Sequence, residues 1–202
     1  MKQVEFFFDC SSPWSYLAFD QMEQIATHDT VQIIWIPILV GGIFNTVNTS
    51  VYESRQNPVP AKAKYAAKDL QDWARFQNLR IGRPEVFPVN SVRVMRGALV
   101  AIEQKCLEKY AKAMFEAYWG ELEDISKPEI ITKIVARVGM EVDGFFTRIQ
   151  EQDIKDLLRA NTDNLISRGG FGSPTIIVDG DDFYFGNDRM PLVKRALGLG
   201  TS

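Results

Sequence analysis

A chain of 202 residues, 46 % hydrophobic and 24 % charged, is long enough to bury a sizeable core as an ordinary globular protein. Its net charge of −3 offers no basic footprint for nucleic acid, and no apolar run approaches the length of a membrane span. Two cysteines and one histidine leave little material for a disulfide framework, a zinc site or a histidine-based triad; no metal is expected, and a start that runs directly into an apolar strand points to a cytoplasmic chain.

Residues 4–8, Val-Glu-Phe-Phe-Phe, predict a buried strand that stops at Asp9. Trp14, Ala18, Met22 and Ile25 then recur at three- to four-residue spacing and predict a helix with one apolar face. Ser12 takes its N-cap position, and Pro13 its first helical position, where a missing N–H costs nothing. A strand feeding a helix N-terminus gathers unpaired N–H groups and a positive dipole end, which favours an anion. In thioredoxin-like proteins this junction carries Cys-x-x-Cys; here Ser12-Pro13-Trp14-Ser15 places hydroxyls where the sulfurs would be. A hydroxyl stabilises a thiolate without replacing one, so the junction suits a sulfur brought by another molecule. The plainer role of Ser12 is a helix cap.

Residues 31–38 are rich in β-branched side chains and predict a second strand, parallel to the first through the intervening helix and ended by Gly41-Gly42. Residues 45–60, with Asn45, Asn48 and Asn57 and no periodicity, predict a long polar loop. Helical patterns follow over 61–79, from a Ser91 cap to about 105, and over 107–118, 128–138, 144–149 and 152–167. Strands return at 175–178 and 183–185 around Asp179-Gly180-Asp181-Asp182, a hairpin signal, and a short helix over 190–197 ends the pattern. Two strands at each end need one another to form one sheet. The expected fold class is therefore α/β, a thioredoxin-like core of β-α-β … β-β-α order from residues 1–45 and 170–202. Residues 46–169 form a large inserted all-helical domain.

Phe171-Gly172-Ser173-Pro174-Thr175 precedes the third strand, where a thioredoxin-like fold keeps its cis-proline loop. A cis bond there turns the backbone of Ser173 toward a bound peptide, although a proline leading a strand is the plainer reading. Phe185-Gly186-Asn187-Asp188-Arg189 opens the last helix. Asp188 reads either as an ordinary first-turn acid or, with Asn187, as a clamp for the amino and carboxylate ends of a γ-glutamyl group.

Together, Phe-Asp-x-x-Ser-Pro-x-Ser-Tyr, Phe-Gly-x-Pro-Thr and Phe-Gly-Asn-Asp-Arg resemble the 2-hydroxychromene-2-carboxylate isomerase family, itself related to the kappa-class glutathione transferases. The resemblance spans essentially the whole chain, including Pro60-Ala61-Lys62, Asp69-Leu70, Phe87-Pro88 and Tyr118-Trp119-Gly120. It implies a glutathione-dependent isomerase that acts on a small aromatic ring-cleavage product by reversible thiolate addition, and a homodimer. Ser12 matches the family's catalytic serine beside the glutathione sulfur, and Ser173 the residue whose backbone pairs with the cysteinyl part. Phe185, Gly186, Asn187 and Asp188 match the γ-glutamyl-binding turn, and Asn48 a loop asparagine near the substrate. The four tryptophans, Trp14, Trp35, Trp73 and Trp119, are candidates for an aromatic pocket wall, with the core as the fate of most of them. One departure stands out: residues 38–50 carry no Lys or Arg, where related isomerases place a cation for the substrate carboxylate. Arg93 or Arg96 is the expected substitute. The competing readings are a glutathione transferase, a non-catalytic glutathione binder and a thiol–disulfide oxidoreductase. The last is disfavoured because exchange chemistry needs a thiolate on the protein.

Overall fold

The computed structural model describes residues 1–200. Strand β1 (Lys2–Phe8) lies inside a four-stranded sheet of order β2-β1-β3-β4, with β2 (Val31–Pro37), β3 (Thr175–Val178) and β4 (Asp182–Phe185). β2 runs parallel to β1, pairing Phe6 with Trp35, while β3 runs antiparallel on the other side, pairing Phe6 with Ile176. β3 and β4 form the antiparallel hairpin that the Asp-Gly signal predicts. The thioredoxin-like α/β core with a helical insertion is thus the observed architecture.

Alternation along β1 decides what each face of the sheet buries. Val4, Phe6 and Phe8 enter the larger core, where α1 (Pro13–Ile25) supplies Leu17, Phe19 and Met22. Phe7 points the other way, into a smaller core with Ile38, Ile43, Leu165 and Ile177. All three phenylalanines are fully buried, so the end of β1 reads as a continuous apolar run, as a strand covered on both faces does. Glu5 shares the face of Phe7. It receives Arg168 through two nitrogens at 2.9 and 2.6 Å, and that guanidinium also lies 5.6 Å from the centre of the Phe7 ring.

Between β2 and β3 lie α2 (Val40–Val47), α3 (Ser50–Gln56), α4 (Pro60–Phe76), α5 (Val92–Glu103), α6 (Leu107–Phe115), α7 (Pro128–Arg137), α8 (Val142–Arg148) and α9 (Gln152–Ser167). A π-helical turn, Glu116–Gly120, continues α6. The insertion is not a separate body, because Phe115 sits in the sheet's own core, its ring 5.1 Å from Tyr16, 5.3 Å from Phe19 and 6.3 Å from Phe8. A short 3₁₀ turn, Asn187–Arg189, and α10 (Met190–Ala196) close the fold.

Two expectations need correction. Gly41-Gly42 does not end β2, which stops at Pro37; both glycines lie inside α2. Nor is 45–60 a loop, since it carries the end of α2, all of α3 and the start of α4. α2 forms because Ile43 fits the smaller core and because Gly42 lets the helix approach α9, where a Cβ would sit 3.3 Å from Thr162 Cγ2. α3 buries no residue, so no apolar periodicity announces it.

Candidate functional site

The site is built on the turn between β1 and α1. Ser12 caps α1 from an extended backbone (φ −103°, ψ 121°), and its Oγ accepts the N–H of Ser15 at 3.2 Å, with Pro13 at the first helical position. The same Oγ donates to the carbonyl of Ser173 at 3.0 Å, across 161 residues of sequence. Ser173 precedes Pro174 through a cis peptide bond, and its own Oγ lies 2.7 Å from that of Ser15. Three hydroxyls therefore interlock at the positive end of α1, with Ser15 fully buried, Ser12 8 % exposed and Ser173 7 % exposed.

Asp9 organises the turn from below. Fully buried, it accepts the N–H of Ser11 and of Val40, each at 2.9 Å, and the hydroxyl of Ser91 at 3.1 Å. Its own N–H donates to Ser173 Oγ at 3.1 Å. The Asp9 carboxylate thus ties together the strand end, the start of α2 and the start of α5, and its backbone N–H adds the cis-proline loop. Burial raises its pKa above the usual carboxylate range, opposed by the hydrogen bonds from Ser11, Val40 and Ser91. Ser91 stands at the N-cap position of α5 as expected, but its hydroxyl is given to Asp9 rather than to the helix. The π-helical turn adds a further tie, as Trp119 Nε1 donates to the Cys10 carbonyl at 3.0 Å. Cys10 is buried, and burial together with the neighbouring Asp9 pushes its thiol well above the ordinary cysteine value, which disfavours the thiolate.

Two clefts, each about 310 Å³, flank this turn. The first runs from Ser173 and Pro174 to Asn187 and Asp188, with Trp14 and Trp73 on its wall. Gly186 stands at φ +99°, where a side chain is disfavoured, and its N–H donates to the Pro174 carbonyl at 3.1 Å. Phe185 lies 4.4 Å, centre to centre, from Phe171 and leaves no room for a Cβ on Gly172, which would fall 2.6 Å from its ring. Asn187 is 3 % exposed, and its side-chain nitrogen finds no hydrogen-bond partner among the described residues. An orphaned amide donor in a cleft wall is a fit for a ligand acceptor such as a carboxylate. Asp188 is half exposed, with the Arg189 guanidinium 3.5 Å away.

The second cleft opens beside Ser11 and is lined by Val40, Phe44, Tyr52, Val89 and Asn90, with Arg55 as its cation. That guanidinium lies 5.4 Å from the centre of Phe44 and 5.3 Å from that of Phe87. Arg93 and Arg96, the substitutes expected from the sequence, line other cavities. Asn48 is not among the lining residues of either cleft; its amide donates to the Phe171 carbonyl at 3.0 Å and so ties α2 to the cis-proline loop. Trp14 and Trp73 face the first cleft, whereas Trp35 lies in the core against Phe6 and donates to Glu108.

Sequence reasoning brought Ser12, Ser15, Ser173, Pro174 and the 185–188 turn to one place, and missed Asp9 and Arg55. The signal for Asp9 was available: an acid directly after three consecutive phenylalanines of a buried strand has little water to meet, and so needs partners. Arg55 gave none, since it sits in a segment that showed no periodicity.

A serine-tipped helix beside a cis-proline defines a thioredoxin fold without the dithiol. The chain belongs to the DSBA-like thioredoxin domain family, whose model matches residues 3–198. It is 28 % identical over 215 residues to human glutathione S-transferase kappa 1, covering 98 % of this chain and 91 % of that one. It is also 27 % identical over 207 residues to the 2-hydroxychromene-2-carboxylate isomerase of Pseudomonas putida, covering 96 % and 94 %. A solved 2-hydroxychromene-2-carboxylate isomerase superposes with a TM-score of 0.82 at 24 % identity, over 97 % of this chain and 94 % of that one.

Proposed function

We propose that this protein is a glutathione-dependent isomerase of the 2-hydroxychromene-2-carboxylate type. The observation that carries the reading is the pairing of the Ser12 hydroxyl with the Ser173 carbonyl, across a cleft from the orphaned amide of Asn187. Asn187 and Asp188 hold the carboxylate and ammonium of the γ-glutamyl group, with Phe185 and Gly186 shaping the turn. Ser173 presents its backbone to the cysteinyl residue, and Ser12 faces the sulfur. The cleft's volume lies at the lower end of the range for small-molecule sites, about 300–1,000 Å³.

Glutathione, when bound, supplies a sulfur nucleophile that adds reversibly to an electron-poor double bond. Ser12 turns its proton from the Ser173 carbonyl toward that sulfur, and the α1 dipole adds to the stabilisation of negative charge there. Ser15 and Asp9 hold Ser173 in place throughout. The second cleft takes the aromatic substrate, and Arg55 receives its carboxylate. Asn48 fixes the cis-proline loop at the substrate side.

The same cleft pair serves a kappa-class-like transferase, a reading supported by the identity to the human enzyme. Turnover of a hydroxychromene carboxylate, followed by absorbance with free thiol measured in parallel, separates the two. The isomerase requires glutathione and leaves its free concentration constant; stoichiometric loss of thiol would identify the transferase. Turnover at full rate without glutathione would refute both.

A further inference from the structure

Away from the two clefts that flank Ser12, the molecule gathers positive charge that no ion pair among the described residues neutralises. Arg93 and Arg96 lie three residues apart on α5, and Lys155 and Arg159 four apart on α9, so each pair shares a helix face. Arg96, Lys155 and Arg159 line one cavity of about 450 Å³ between these helices. Arg93 and Arg96 line a neighbouring one of about 490 Å³, so Arg96 forms the wall between the two. In a chain of net charge −3, none of these four cations takes part in an ion pair among the described residues. Among the described residues Asp163 is the one carboxylate lining either cavity, and it too takes part in no ion pair with them.

Arg96 is the sharpest case. Its Nε is buried and has no hydrogen-bond partner among the described residues. Burial lowers its pKa, with no carboxylate acting in the other direction. An unpaired buried donor and like charges on one helix face both destabilise a fold. Guanidinium and ammonium groups converging on a concave site are the chemistry that grips a multiply charged oxyanion. The rest of the wall includes Leu39, Leu158 and Ile166, which suit an uncharged portion of the same molecule.

We propose that the cavity between α5 and α9 is a second binding site, for a compact, multiply charged oxyanion held by Arg96, Lys155 and Arg159. The ligand is a phosphate ester or a polycarboxylate of metabolite size. The site is distinct from the two clefts that flank Ser12, yet it shares a wall with the Ser11 cleft, because Leu39 and Gly42 line both. Leu39 is held at that wall by its N–H, which donates to Thr162 Oγ1 at 3.0 Å.

The test is calorimetric titration of the full chain with pyrophosphate and with citrate at constant ionic strength, with and without excess glutathione. At least one anion binds, and excess glutathione leaves its affinity unchanged. The double variant Lys155→Ser/Arg159→Ser alters two surface side chains and keeps the fold, checked by its melting; it binds the anion at least tenfold more weakly. Arg96→Met abolishes binding, and should that variant fail to fold, the double variant decides alone. Binding of pyrophosphate but not citrate marks a phosphate-ester site, and the reverse a polycarboxylate site. The proposal is overturned if neither anion binds, if the double variant binds as tightly as wild type, or if glutathione displaces the anion competitively, which would place it at the N-terminus of α1.

Discussion

Ser12→Ala separates a helix cap from a group that tunes a bound sulfur. The substitution removes the bond accepted from Ser15 N at 3.2 Å and the one donated to the Ser173 carbonyl at 3.0 Å. Loss of the cap costs about 1 kcal/mol, and the carbonyl left short of its partner adds about 1 kcal/mol more. At roughly 2–4 °C per kcal/mol for a chain of this size, melting should fall by about 4–8 °C. A hydrogen bond to a charged group is worth about 1.5–3 kcal/mol, and turning the Ser12 proton toward sulfur forfeits about 1 kcal/mol already held at Ser173. The net is about 0.5–2 kcal/mol in favour of the thiolate. Removing it should raise the pKa of bound glutathione's thiol by about one pH unit, since one unit corresponds to about 1.4 kcal/mol. Ultraviolet absorbance of the thiolate, titrated with pH in both proteins at saturating glutathione, reads this directly. Turnover at neutral pH should fall while glutathione stays bound. Superimposable titrations with unchanged turnover would refute the reasoning and leave Ser12 a cap alone.

Asn187→Ala removes a buried amide whose nitrogen has no partner among the described residues; glutathione affinity should fall roughly tenfold, with a smaller change in melting, and equal affinity in a folded variant would dismiss the γ-glutamyl assignment. Asp9→Asn should change the pH dependence of stability. The native carboxyl titrates above its ordinary value of 3.8, so between the two values the folded state binds more protons than the unfolded one and wild-type stability falls as pH rises. The stability of wild type relative to Asp9→Asn, from urea unfolding across the acid range, should therefore rise toward low pH, by at most about 1.4 kcal/mol per unit; a pH-independent difference would show that Asp9 does not titrate differently on folding. Gly97→Ala tests the joint between α5 and its neighbours, because its Cβ would meet Tyr110 Oη and would fall 2.5 Å from Phe145 Cζ, both side chains being fully buried. The expected loss is about 1–3 kcal/mol, and a melting temperature equal to wild type would mean that this core yields more readily than its packing implies.

The sequence determined whatever is local. The Phe6-Phe7-Phe8 run of β1, the Ser-Pro start of α1, the Asp-Gly hairpin and the amphipathic helices each follow from chemistry within a few residues, whereas the meeting of Ser12, Ser173 and Asn187 was implied only by the family resemblance. Tertiary structure decided what depends on distant partners. α2 runs through Gly41-Gly42 because α9 offers a close surface and the smaller core accepts Ile43; helix propensity alone would have ended the element there. Asp9 is buried and saturated with donors because residues 31 and 82 positions further along arrive beside it. Arg55 faces the Ser11 cleft, and Arg93 and Arg96 do not, because the direction of a side chain follows from how its helix is packed, which the spacing of charges in a sequence does not carry.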